Sequence, residues 1–232
     1  MDLEPKNLRE TQPLELLTPE EREIIGMYKA IRFVRAKAAN QLNVGFTGGD
    51  INELNKAIRN DSLNPHKMGL RKSPLLRVMC YVRGERRDAA FEFIEPEELK
   101  ERFDNFSTTF KEKTQEINRE TAVAEVLDLA AWTHINLIRI HPFLDGNGRT
   151  ARLLVDLVFE KNNLPIITDW GVKKDEYKDI VDRTYREKNY GLFKKFLARK
   201  LLKSIKALER EGLVEELADK KKQVMEYMAN IK

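Results

Sequence analysis

Apolar residues recur at steps of three or four along most of the chain. Ile24, Tyr28, Ile31, Val34 and Ala38 share one face, the pattern of an amphipathic helix. Thr18-Pro19-Glu20-Glu21 precedes them; it supplies a capping hydroxyl, a proline at the first helical position and a glutamate that closes a capping box. The spacing predicts a helix to about residue 40. Gly48-Gly49-Asp50 breaks the chain, and Asp50 with Glu53 is expected to cap a second helix through about residue 59. Residues 60–74, rich in Asn, Asp, Pro, Gly and Ser, read as a long loop. Two short runs, 75–82 and 89–94, carry β-branched and aromatic residues around the polar stretch Arg83-Gly84-Glu85-Arg86-Arg87-Asp88, which predicts a hairpin turning through that stretch.

From Pro96 onward the helical period returns. Leu99, Phe103, Phe106 and Phe110 form one stripe; Leu127, Ala130, His134, Leu137 and His141 form the next. The latter helix must end at His141, because Pro142 disfavours the α region in the residue before it. Further helices are expected near 149–160, 177–185, 192–208 and 213–228. Residues 1–17, with Pro5 and Pro13, lack a period and read as an arm. The fold class is therefore mainly α, a helical bundle with one small β-hairpin.

Composition narrows the function classes. The 232 residues are 41% hydrophobic and 34% charged, with a net charge of only +4, so dense and balanced charge covers exposed helix faces without a strong nucleic-acid footprint. Cys80 is the only cysteine, so no internal disulfide forms and a reducing, cytoplasmic setting is expected. The first ten residues, MDLEPKNLRE, carry acidic residues and no apolar run, so no secretory signal is expected. The most apolar stretch, 126–140, is interrupted by Asp128, His134 and Arg139 and is too short to cross a bilayer.

The candidate chemistry lies in His141-Pro142-Phe143-Leu144-Asp145-Gly146-Asn147-Gly148-Arg149-Thr150-Ala151-Arg152. Glycines on both sides of Asn147 allow the backbone to turn its N–H groups into one concavity, and a helix follows directly, a setting that binds phosphate. Arg149 and Arg152 lie three apart on one helix face, where guanidinium forks suit phosphate oxygens. Asp145 would repel a phosphate unless a hard cation such as Mg²⁺ bridged them. His141 can accept a proton near neutral pH. Each feature has a plainer explanation: a simple turn, an Arg152–Asp156 pair at i,i+4, a packed helix end. Their convergence in one segment favours the functional one.

The segment HPFLDGNGRTAR resembles the signature of Fic-domain proteins, HPFx(D/E)GNGRxxR, at every fixed position, and the similarity in order of elements extends over roughly residues 48–200. The resemblance implies a Fic-type helical bundle whose hairpin is a flap. It implies an enzyme that moves AMP from ATP to a Ser, Thr or Tyr hydroxyl of a protein, with His141 as general base and Asp145 holding Mg²⁺. The amides of Gly146, Asn147 and Gly148 would form an anion hole, Arg149 and Arg152 would hold the leaving phosphates, and Phe143 would anchor the loop. Relatives acting as kinases carry lysine at the second glycine; Gly148 favours nucleotidyl transfer. Removal of AMP, use of another nucleotide and a non-enzymatic nucleic-acid or protein-binding module stay open as alternatives.

The same resemblance divides the chain into an amino-terminal arm and helix (1–47), a core with flap and signature (48–200) and a carboxyl-terminal helical extension (201–232). A protein target would dock on the hairpin that begins at Leu75 and ends at Ile94. Many relatives are inhibited by a helix reading (S/T)xxxE(G/N). Residues 36–43 lack its glutamate, and Ala207-Leu208-Glu209-Arg210-Glu211-Gly212 keeps Glu-Gly without the hydroxyl. Glu211 is thus a candidate, with a separate inhibitor protein as the alternative. Leu213, Leu217, Val224 and Met228 form a stripe that could seed a homodimer or pack on its own domain. His134 shares the face of His141, but no third metal ligand accompanies them, so His134 reads as a hydrogen-bonded core residue.

Overall fold

A computed structural model describes residues 17–39, 45–59, 70–72, 79–82, 85–88, 94–171, 176–210 and 217–231. Their elements run, in chain order, α1 (Pro19–Ala39), α2 (Gly48–Ile58), β1 (Met79–Val82), β2 (Glu85–Asp88), α3 (Pro96–Glu116), α4 (Val123–Ile140), α5 (Asn147–Lys161), α6 (Glu176–Arg186), α7 (Tyr190–Arg210) and α8 (Ala218–Asn230). Among the described residues no helix is long and apolar enough to cross a membrane.

The bundle is built around α4, which is apolar nearly all round. Val123, Val126, Leu127, Ala130 and Leu137 are fully buried, as expected for a helix surrounded by others. α3, α5, α7 and α8 all pack on it, and α5 in turn carries α1 and α2. Phe106 stacks on Trp132 at 5.4 Å and on Phe110 at 6.0 Å, so the α3 stripe meets α4 through aromatic faces. Ion pairs fasten α1 to its neighbours: Lys37 reaches Asp50 at 2.7 Å and Arg35 reaches Glu160 at 3.2 Å. The stripe on α8 turns inward. Val224 and Leu217 are buried, and Tyr227 and Met228 pack against the same core; Leu213 lies outside the described residues.

The capping box at the start of α1 forms as expected, with the Glu21 N–H donating to Thr18 Oγ1 at 3.2 Å and the Thr18 N–H donating to Glu21 Oε2 at 2.8 Å. At α2 the expectation is corrected. Thr47 is the N-cap, and Asp50 is the third helical residue that closes the box. Gly48 and Gly49 stand inside the first turn, where N–H groups lack intrahelical partners in any case. A Cβ on Gly48 would lie 2.9 Å from Ser107 Oγ, so glycine here lets α2 approach α3.

The hairpin is also shifted. Met79 pairs with Asp88, and Val82 with Glu85, so Glu85–Asp88 belong to a strand, although their polarity reads as a turn. Polarity does not separate the two where a strand lies at an edge. Residues 75–78, 83–84 and 89–93 lie outside the described residues. β1 runs beside α6.

Asn162, the C-cap of α5, is fully buried and locks three parts of the fold together. Its Nδ2 donates to the carbonyls of Asn118 (2.5 Å) and Thr121 (2.9 Å) between α3 and α4, and its Oδ1 accepts from Lys220 Nζ of α8 at 2.9 Å. Asn162→Ala removes these hydrogen bonds from two part-buried carbonyls and from Lys220. It should cost about 1–2 kcal/mol and lower the melting temperature by about 2–8 °C, measurable by thermal unfolding with urea titration as a second readout.

Candidate active site

α4 stops where proline demands it. His141 is the C-cap, in the left-handed region at φ 49° and ψ 56°, and its N–H still bonds to the Leu137 carbonyl at 2.9 Å. A non-glycine residue held there stores strain and needs surroundings that enforce it. Pro142 and Phe143 then enter the core, where Phe143 packs edge-on against Phe103 at 5.9 Å. This matches its expected role as loop anchor.

Four buried polar side chains shape the turn into α5. Asn147 faces inward: its Oδ1 accepts the Phe143 N–H at 3.0 Å, and its Nδ2 donates to the Phe143 carbonyl at 2.7 Å. Asn55 of α2 donates from Nδ2 to the Asp145 carbonyl and to Thr150 Oγ1, both at 3.1 Å. Arg59, at the end of α2, reaches Asp145 Oδ2 at 3.4 Å. Arg71 pairs as a strand would: its N–H donates to the Pro142 carbonyl at 2.8 Å beside a Leu70–Phe143 bridge. The Arg71 guanidinium donates to the carbonyls of His141 (2.9 Å) and Ile94. Asn55, Arg59 and Arg71 lie outside the signature, and none of the three was legible from it. The one available signal was Asn55, an amide on the buried face of α2 beside Ile51, Leu54 and Ile58.

Within this frame the expected site residues come together on one loop and the first turns of α5. Gly146 is the N-cap at φ 81°, with no side-chain cap, and α5 begins at Asn147, two residues earlier than its period suggests, because Asn147 folds inward. The Gly146 N–H is donated to Asp145 Oδ1 at 2.6 Å. The N–H groups of Asn147, Gly148 and Arg149 open the helix, where a partial positive charge accumulates. Arg149 donates to Glu23 Oε1 of α1 at 2.9 Å and to Asp145 Oδ2 at 3.4 Å. Arg152 lies over the Tyr177 ring, 5.0 Å from its centroid. Asp156, the alternative partner for Arg152, instead accepts the Ile167 N–H at 3.2 Å, and its burial pushes its carboxyl up to about 7.

The two histidines separate cleanly. His134 is fully buried between Phe193 (4.4 Å) and Trp170 (6.0 Å), and its Nε2 is 2.9 Å from the Tyr177 hydroxyl. Burial, aided by the Arg152 charge, holds it neutral. It is a core histidine, as the sequence suggests. The His141 imidazole is lowered to about 4, first by burial and then by the Arg71 charge, against an opposing hydrogen bond with the Ile138 backbone and the charge of Asp145.

Asp145 bears on metal binding. Its side chain is 60% exposed at the open start of α5, and among the described residues no group of three or more His, Cys, Asp or Glu converges. One exposed carboxylate beside an open helix N-terminus has the chemistry to hold Mg²⁺ that takes its remaining ligands from water and other oxygen donors. It does not fit a resident, fully protein-held ion.

Residues 46–159 match the Fic/DOC family. The chain is 27% identical over 178 residues to a protein adenylyltransferase Fic from Nematostella vectensis, covering 77% of this chain and 36% of that protein. A uridine 5'-monophosphate transferase from Xanthomonas campestris is 37% identical over 70 residues, 30% of this chain and 13% of that protein. A Fic-domain-containing signalling protein from Bacteroides thetaiotaomicron superposes with a TM-score of 0.61 at 22% identity, over 85% of this chain and 75% of that one. The chain thus carries a Fic/DOC family domain with the corresponding helical fold. It spans only part of the length of the curated relatives it matches, from 13% to 36% of those named.

The tightest steric demand in the loop is at Gly146, where a Cβ would lie 2.8 Å from Asn55 Nδ2 and the φ of 81° disfavours any side chain. Gly146→Ala should therefore cost about 2–4 kcal/mol and loosen the loop. Urea unfolding reads the first effect, and faster amide exchange at Thr150, whose N–H bonds to the Gly146 carbonyl at 2.8 Å, reads the second.

Proposed function

We propose that this chain is a protein nucleotidyltransferase that moves AMP from Mg-ATP to a Ser, Thr or Tyr hydroxyl of a protein target. The observation that carries the reading is the adjacency of a largely buried, neutral His141 to an uncapped helix start flanked by Arg149 and Arg152. The relatives named protein adenylyltransferase support it. In the proposed reaction the hydroxyl oxygen bonds to the α-phosphorus while the bond to the β-phosphate's bridging oxygen breaks. The proton passes to His141, and pyrophosphate leaves. The amides that open α5 receive charge on the transferring phosphoryl oxygens, and Arg149 and Arg152 receive the leaving phosphates. Mg²⁺ held by Asp145 would neutralise the polyphosphate when bound. Residues 48–200 form the catalytic core in this reading, flanked by 1–47 and 201–232, and the target segment adds along the hairpin between Leu75 and Ile94.

The Xanthomonas relative, named for transfer of uridine 5'-monophosphate, favours a second reading in which the same site uses UTP. Incubation with a candidate target protein and ATP labelled at the α- or γ-phosphate, or UTP labelled at the α-phosphate, separates the readings. Label from the α-phosphate of ATP should enter protein, and His141→Ala should reduce it by about 10²- to 10⁴-fold. Transfer of γ label alone points to a kinase and overturns the proposal; label from UTP but not ATP moves it to the second reading.

A base must be unprotonated to act, and the lowered pKa keeps His141 so across the neutral range. kcat/KM should stay level from pH 8 to about 5 and fall only as pH drops through about 4. An ordinary histidine would lose activity through about 6.5, and a profile bending there would contradict the buried base.

A further inference from the structure

Arg149 and Arg152 stand one turn apart, yet they are held by opposite means. Arg149 spends N–H donors on two carboxylates, Glu23 and Asp145. Among the described residues no carboxylate lies within ion-pair distance of Arg152; its guanidinium rests on the face of Tyr177. An aromatic face fixes a guanidinium plane through charge–quadrupole attraction, and Arg152 also donates to the Tyr177 hydroxyl, so Tyr177 holds the guanidinium without neutralising its charge. Tyr177 is itself immobilised. It is 7% exposed, its hydroxyl meets His134 Nε2 at 2.9 Å, and its ring stands edge-on to His134 at 5.5 Å and to Trp170 at 6.0 Å. With Nε2 accepting, the hydroxyl donates to His134 and its oxygen accepts from the Arg152 guanidinium; the Arg152 charge and that hydrogen bond partly offset the burial that raises the Tyr177 pKa. The assembly converges on the anion cradle, since a Cβ on Gly148 would lie 3.4 Å from an Arg152 terminal nitrogen and 3.6 Å from the Tyr177 hydroxyl.

We propose that Tyr177 is a positioning residue: anchored by His134, which Phe193 and Trp170 flank, it sets the Arg152 guanidinium for the β- and γ-phosphates and so makes α6 the source of selectivity for nucleotides with a polyphosphate tail. The inference rests on the nucleotidyltransferase reading for the identity of the ligand. His134 thereby acquires a role, as the fixed end of a three-residue relay of contacts from the core to the phosphate site.

The test compares full-length wild type with Tyr177→Leu, which removes the ring, and Tyr177→Phe, which keeps the ring and removes only the hydroxyl. Binding of ATP and of AMP, each with Mg²⁺, is measured by calorimetry. Tyr177→Leu should weaken ATP about tenfold and AMP less than about twofold, and Tyr177→Phe should weaken ATP about threefold. In the transfer reaction KM for ATP should rise by the same factors with a smaller change in kcat. In an Arg152→Ala background neither change should weaken ATP further. Equal weakening of ATP and AMP, unchanged ATP binding in Tyr177→Leu, or a full further loss on top of Arg152→Ala would overturn the proposal. Wild type that shows this binding pattern but transfers no label would refute the transferase reading and leave the positioning role standing.

Discussion

The site depends on how the chain leaves α4. That helix is buried on nearly all sides, so its last carbonyls cannot simply fray into water, and Pro142 forbids another helical turn. The chain escapes by placing His141 in the left-handed region, and this one strained residue is also the imidazole at the centre of the proposed chemistry. Strain persists only where the surroundings over-determine it. Here the Asn147 amide holds both backbone groups of Phe143, Asn55 holds the Asp145 carbonyl, and Arg71 holds the carbonyls of His141 and Pro142.

The electrostatics follow from the same packing. Burial strips His141 of the solvation its charged form would need, so the residue that bends the chain is also the one kept ready to accept a proton. Asp145 stays at the rim, shared at 3.4 Å between Arg59 and Arg149, while Arg152 is kept in place by rings. Arg59 and Arg149 are thus held by carboxylates, whereas Arg152 keeps its charge unpaired by any carboxylate among the described residues and is held by an aromatic side chain.

Local rules made part of this legible. The Thr18 capping box, the end of α4 at Pro142 and the core role of Phe143 each need only a few consecutive residues, and each is found. The α2 cap was misplaced because Gly-Gly reads as a break, whereas at a first turn it costs little and lets α2 meet α3. The hairpin register was misplaced because an edge strand and a turn share polar composition. Asn55, Arg59, Arg71 and Tyr177 stayed hidden for another reason. They act on the signature from tens of residues away in sequence, and no period or motif encodes a contact between elements; only the buried face of α2 hinted at one of them. Glu211, the candidate inhibitory residue, lies outside the described residues.

The Leu70–Phe143 bridge and the Arg71 hydrogen bonds join residues 70–72 to the reactive loop as an added strand joins a sheet. Such segments open together or not at all, as one cooperative unit with a single opening free energy. A displacement of residues 70–72 is therefore felt at the carbonyls of His141 and Pro142, and it changes the rigidity of the histidine turn without touching the imidazole.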